Sequence, residues 1–269
     1  MARVTALSTL TFTDHRLGEA LARIAARGFR TVDIAHMDTY CPHFPLGAAE
    51  TEGLRGLLRT VGLQPIALNY YQGGRDPGQP DVSRPYRLHR PEDAARYRET
   101  MHRAILQCRA LGIPLMMAVP GRRTEAPDRR EEVAAAAAVI SELGDVAYAN
   151  GLRLTIEVPH CFSLLHTVER TAEFFALVTS PHVGATVDCS HWGVLRYDLE
   201  ALWAAIGPRI WHIHLRDSAG PDTADFLQQL ELTPGRGEVD FRAFGDWLDR
   251  HDYRGNVTME LEYRGRSLA

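Results

Sequence analysis

Residues 152–158 read LRLTIEV, and three later segments repeat the pattern: VGATVD at 183–188, RIWHIHL at 209–215 and NVTMEL at 256–261. Each is a short apolar run of strand length, and each is followed or preceded by a stretch with helical spacing, at 167–178, 198–206 and 240–251. Runs of this length flanked by turn residues are the primary signal for strands, and apolar positions three and four apart the signal for amphipathic helices.

The alternation continues toward the N-terminus. Strands are expected over 3–8, 31–35 (TVDIA), 65–69 (PIALN) and 114–119 (PLMMAV), and helices over 16–27, 49–60, 91–111 and 129–150. Gly28, Gly62 and Gly112 stand where C-cap residues belong, and Pro91 stands in a first helical turn. A further helical segment is expected near 223–230. Because consecutive parallel strands need a crossover, usually a helix, this order predicts an α/β fold with a parallel sheet. Eight strand–helix units without a composition break predict one domain over 1–269, a (β/α)8 TIM barrel with a parallel eight-stranded wall. The competing open doubly wound sheet would carry a Gly-rich turn after its first strand, and residues 8–16 read STLTFTDHR.

Composition excludes several chemistries. Of the 269 residues 45% are hydrophobic and 24% charged, which is ordinary for a globular chain. All 30 basic residues are arginine, since lysine is absent. Schiff-base aldolases, pyridoxal-phosphate enzymes and Walker-A nucleotidases all need a lysine amine and are excluded. The net charge of -4 carries no basic footprint, so no nucleic-acid partner is expected. The chain has no apolar run of membrane-spanning length and no secretory signal pattern at its start, so no membrane partner is expected. The four cysteines, 41, 108, 161 and 189, form no CxxC, which fits a reduced, cytoplasmic setting. Homo-oligomeric assembly is left open.

Two features point to chemistry. Residues 70–90 (YYQGGRDPGQPDVSRPYRLHR) read as a long structureless loop after the third strand, at the face where a barrel keeps its active site. Its arginines 75, 84, 87 and 90 would meet an anionic or polyhydroxy substrate. The last four strands each end in a metal-ligand residue: Glu157, Asp188, His214 and Glu260. Sequential strands place these ends on one side of one mouth, and apolar flanks place them deep. Three deep carboxylates would repel one another, and a cation resolves that repulsion. Three carboxylates and one imidazole suit one divalent ion, Mn²⁺ first, then Mg²⁺ or Co²⁺, with Zn²⁺ less favoured for want of a thiolate.

The segments IEVPH, VDCSH, HIHLRDS, PGRGEVDF and MELE resemble those of the xylose isomerase-like TIM barrels, with the specific part lying between residues 153 and 262. The resemblance implies a metal-dependent sugar or keto-polyol isomerase or epimerase that moves a proton next to a carbonyl through an enediolate. It places the metal on Glu157, Asp188, His214 and Glu260, and a substrate contact on His191. Glu157 and Glu260 then serve also as the acid/base pair, flanking a small polyhydroxy carbonyl substrate. Arg216 matches an H-x-H-x-K/R-D pattern of some branches, and His36, His160 and Arg236 are further candidate substrate contacts. Two positions depart from the tagatose and psicose epimerases: Gly220 stands where they carry arginine and Ser163 where they carry glutamate. The endonuclease branch would need additional histidines, which LNYYQ, AVPGR and GRGEVDF lack. A dehydratase of the inosose or 3-dehydroshikimate type, starting from the same proton abstraction, is the second reading. A catalytically silent sugar-binding barrel is the third.

Overall fold

The apolar runs pair edge to edge in chain order and close into a ring. The structure is a computed structural model that describes residues 4–37, 41–44, 47–71, 74–76, 79–84, 86–123, 129–220 and 232–262. Its strands are β1 (Ala6–Ser8), β2 (Thr31–Met37), β3 (Cys41–Pro42), β4 (Gln64–Tyr71), β5 (Gly74–Asp76), β6 (Gln79–Arg84), β7 (Leu115–Ala118), β8 (Arg153–Glu157), β9 (Val183–Asp188), β10 (Ile210–Leu215) and β11 (Asn256–Met259). The wall runs β1-β2-β4-β7-β8-β9-β10-β11, every neighbouring pair parallel, and β1 pairs with both β2 and β11 to close it. This is the eight-stranded barrel expected. Parallel closure leaves no free edge in the wall and directs every strand's carboxyl end to the same rim.

The helices are α1 (Leu17–Ala26), α2 (Ala48–Val61), α3 (Pro91–Leu111), α4 (Arg129–Ala149), α5 (Val168–Leu177), α6 (Cys189–Leu195), α7 (Leu199–Ile206) and α8 (Phe241–Arg250). Apart from the short α6, which caps the end of β9, they pack an apolar stripe against the outer face of the wall. In α3 that stripe is Ala94, Tyr97, Met101, Ala104, Ile105 and Cys108, the spacing of one helical face. The helix stops at Gly112, whose left-handed φ of 69° lets its N–H reach back to the carbonyls of Cys108 and Arg109. No described helix is long and apolar enough to cross a membrane. All four cysteines are free and buried.

Three expectations change. Residues 70–90 are not structureless: β5 and β6 pair as an antiparallel hairpin, and Arg87 reaches the buried Glu132 of α4 at 3.0 Å. The Gly73-Gly74 and Pro77-Gly78 pairs read as loop and hid strands too short to show a period. A short helix, α6, follows β9 at once, because Asp188 accepts the Ser190 N–H at 2.7 Å and caps it. Strand two runs on to Met37 and carries the antiparallel β3 beside it. The helix expected near 223–230 lies outside the described residues.

At the base of the wall, β9 and β10 slip register between Ile210 and His212, which brings Trp211 over Gly184. A Cβ at residue 184 would fall on the Trp211 ring and 2.7 Å from the Arg209 carbonyl oxygen. Gly184→Ala is therefore expected to cost about 1–3 kcal/mol and to lower the thermal unfolding midpoint. An unchanged midpoint in a melting experiment would contradict this packing.

Candidate functional site

Side chains alternate along a strand, so each strand of the wall sends every second residue into the barrel. On β8 to β10 this produces stacked inner layers. Thr155 and Thr186 meet at 2.8 Å, and the rim residues lie beyond them. Glu157 ends β8, Asp188 ends β9 in register with His214 of β10, and Glu260 follows β11 with its N–H on the Leu215 carbonyl at 3.1 Å. The four expected ligands therefore meet: one donor atom of each lies within 4.8 Å of the others. They are 5%, 0%, 0% and 2% exposed for Glu157, Asp188, His214 and Glu260, so water cannot compensate their charge.

The electrostatics follow from that crowding. His214 Nδ1 stands 3.3 Å from Glu260 Oε2 and 3.6 Å from Glu157 Oε1. Burial alone would depress the imidazole's pKa, but Glu260, Asp33 and Glu157 overcome it and hold the value well above the usual one. Burial pushes Glu157 upward, yet His160, His214 and His191 outweigh it, and the carboxyl sits well below the ordinary range. Burial also pushes Glu260 upward, and there it prevails over His214 and Arg216. Two atoms of the quartet, Glu157 Oε1 and His214 Nδ1, have no hydrogen-bond partner among the described residues. Other buried polar atoms also lack partners among the described residues, but these two belong to the group of ligating atoms that converge. The residues present fit a divalent cation.

The surrounding candidates divide. His160 accepts the Phe162 N–H on Nδ1 at 3.1 Å and therefore turns Nε2–H toward Glu157 Oε2 at 3.4 Å. His191 lies against it, ring centroids 3.9 Å apart, with Nδ1 on Cys161 Sγ at 2.9 Å and a buried Nε2 that has no hydrogen-bond partner. Both imidazoles are held below their usual pKa by burial first. Arg216 is engaged on all three guanidinium nitrogens, by Asp188 Oδ2 at 2.9 Å, Glu262 Oε2 at 2.7 Å and Ser190 Oγ at 3.1 Å. It orients a carboxylate of the quartet. His36 stands on the opposite strand face from Asp33, its Nδ1 on the Phe44 carbonyl at 3.1 Å and its ring beside Tyr70. It belongs to none of the described clusters of ligating atoms. Arg236 is exposed.

Two functional side chains escaped sequence reasoning. Asn69, at the end of PIALN, donates Nδ2 to Glu260 Oε1 at 2.5 Å. Asp33, inside TVDIA, is 1% exposed and faces His212 and His214. A polar residue at a strand end and an acid inside an apolar run were the available signals. The PGRGEV turn is explained by Asp217 rather than by Arg236. The Asp217 carboxylate accepts the N–H groups of Ser218, Gly235, Gly237 and Val239 at 2.7–3.2 Å.

The family model for xylose isomerase-like TIM barrels matches residues 21–268. The chain belongs to that family. Among its relatives is the inosose isomerase of Bacillus velezensis, 26% identical over 255 residues, covering 93% of this chain and 85% of that one. A D-allulose 3-epimerase from Methylomonas sp., solved in complex with D-allulose, has a TM-score of 0.75 at 21% identity and covers 97% of this chain and 85% of its own. The IOLI protein with a bound zinc atom has a TM-score of 0.72 at 22% identity, covering 96% and 90%. At these identities the two structures show a shared fold.

In this xylose isomerase-like barrel Asp217 holds the rim loop 232–239 by three of its N–H groups, beside the backbone bond from Glu238 to Ser218. Asp217→Ala would leave four backbone donors without their acceptor, and the loss is expected to reach about 1–3 kcal/mol. Urea denaturation would measure it, and faster hydrogen exchange at Gly235 and Gly237 would locate it.

Proposed function

We propose that the chain is a divalent-metal-dependent isomerase or epimerase of a small polyhydroxy carbonyl compound, moving a proton on the carbon beside the carbonyl. The observation that carries this is the buried quartet from four successive strand ends, with Glu157 Oε1 and His214 Nδ1 lacking a hydrogen-bond partner among the described residues. The names of the relatives, an inosose isomerase and a D-allulose 3-epimerase, support the substrate class, because both names denote hydroxycarbonyl compounds. The oxygen-rich donor set favours Mn²⁺ over Zn²⁺.

Held by Glu157, Asp188, His214 and Glu260, the ion supplies Lewis acidity to the carbonyl and favours negative charge on its oxygen. The protein supplies the rest. Glu157, held anionic by its neighbours, removes the carbon-bound proton. Glu260, from the strand on the far side of the quartet, returns a proton to the opposite face or to the adjacent carbon. Asn69 holds Glu260 by Oε1 and so fixes the direction of its other oxygen. His160 and His191, both neutral, donate to substrate oxygens beside Glu157. Arg216 holds Asp188 by Oδ2 and aims its carboxylate at the rim.

Glu260→Gln is expected to leave a folded protein that no longer exchanges the substrate's carbon-bound proton with deuterium from solvent. Exchange at the wild-type rate would end the assignment. Release of water with enone absorbance would instead assign a dehydratase. Ion binding has its own signature. His214 carries an elevated pKa because of Glu260, Asp33 and Glu157, so it must lose a proton before Nδ1 can ligate. Below that pKa the proton competes, and apparent Mn²⁺ affinity is expected to fall about tenfold per pH unit as pH drops. Calorimetry in buffers of different ionisation heat should record about one proton released per ion at neutral pH. An affinity flat across this range would contradict ligation by His214.

A further inference from the structure

Below the quartet the barrel interior holds a cluster that the chemistry above does not use. Asp33, on β2, reaches across to β10 and places one oxygen, Oδ2, 3.2 Å from His212 Nε2 and 3.3 Å from His214 Nε2. Asp33 is 1% exposed and both imidazoles 0%. An ionised carboxylate oxygen only accepts, so each Nε2 carries the hydrogen.

For His214 this has a chemical consequence. Once the ring is neutral and its hydrogen is held at Nε2, the lone pair must lie at Nδ1. Nδ1 is the atom that faces Glu260 and Glu157. The same three residues also stand close enough to suggest a second cation between them. That would require His214 to ligate through both nitrogens as an imidazolate, whereas two N–H donors on one carboxylate oxygen require no further ionisation.

We propose that Asp33 is a positioning residue for the metal centre: it holds His214 as the Nε2–H tautomer with Nδ1 presented to the ion, and His212 supplies a second donor that keeps Asp33 in place. Asp33 touches neither ion nor substrate and acts through His214. The inference rests on the reading of the quartet as an ion site. A carboxylate behind a ligating imidazole orients the ring and raises its basicity, and its loss commonly weakens metal binding by about 10–100-fold.

The test uses the full chain with ¹⁵N-labelled histidine, in wild type, Asp33→Ala and Asp33→Asn. Calorimetric titration with Mn²⁺ is expected to show Asp33→Ala weakened by about 10–100-fold. Asp33→Asn, which keeps an acceptor and loses the charge, should be weakened less. In Zn²⁺-loaded wild type, ring ¹⁵N shifts should show His214 protonated at Nε2 and bound through Nδ1. In ion-free wild type a downfield, slowly exchanging Nε2–H should be present, and Asp33→Ala should lose it. Wild-type affinity in Asp33→Ala, or a wild-type His214 carrying its hydrogen at Nδ1 in the Zn²⁺-loaded state, overturns the proposal. Should Asp33→Ala fail to fold, the wild-type ring spectrum still decides it. If wild type binds no ion, the quartet reading fails, and the ion-free Nε2–H signal separately reports whether Asp33 holds the ring.

Discussion

Three carboxylates and an imidazole meet where all four side chains are almost fully buried. Like charges brought this close in a low-dielectric interior repel strongly, and each carboxylate also loses its hydration. The barrel sustains the arrangement because its backbone leaves the four side chains no room to separate. The rim residues are stationed by parallel pairing, with His214 and Asp188 in register and Glu260 tied to Leu215 by a backbone hydrogen bond. The remaining polar features of the interior can be understood as responses to this one concentration of charge.

Those responses come from several directions. Arg216 neutralises Asp188 and is itself balanced by Glu262. Asn69 donates to Glu260, and His160 turns its Nε2 toward Glu157. Asp33 sits behind His214 on the side away from the quartet. Each supporting group comes from a different strand or rim loop, so the site is braced by the closed wall as a whole and not by one local motif. Outside the quartet, Asp217 gathers four backbone donors and fastens the 232–239 turn to the rim.

The two positions at which the resemblance to ketohexose epimerases lapses, Gly220 and Ser163, each have a definite local setting in the structure. Gly220 adopts a φ of 94°, a left-handed conformation that strains any residue with a Cβ. Ser163 is fully buried and spends its hydroxyl on the Leu165 N–H at 3.2 Å. The polar groups that do approach Glu157 are imidazoles, His160 and His191. Their neutrality, imposed first by burial, gives the mouth hydrogen-bond donors without adding charge to the quartet.

Much of this was legible in the chain before any coordinates. Periodicity alone decided that strands and helices alternate, because a buried parallel strand and an amphipathic helix each write a local pattern. The ligating quartet was legible too, since Glu157, Asp188, His214 and Glu260 all stand at strand ends and sequential strands are neighbours. The residues that brace the quartet were not. Asp33 lies 181 positions from His214, and Asn69 lies 191 positions from Glu260. No local spacing records such a pairing, and only closure of the barrel brings those strands face to face. The orientation of Arg216 was hidden for the same reason: the sequence declares its charge, but whether that charge meets a substrate or Asp188 depends on which carboxylates the fold places around it.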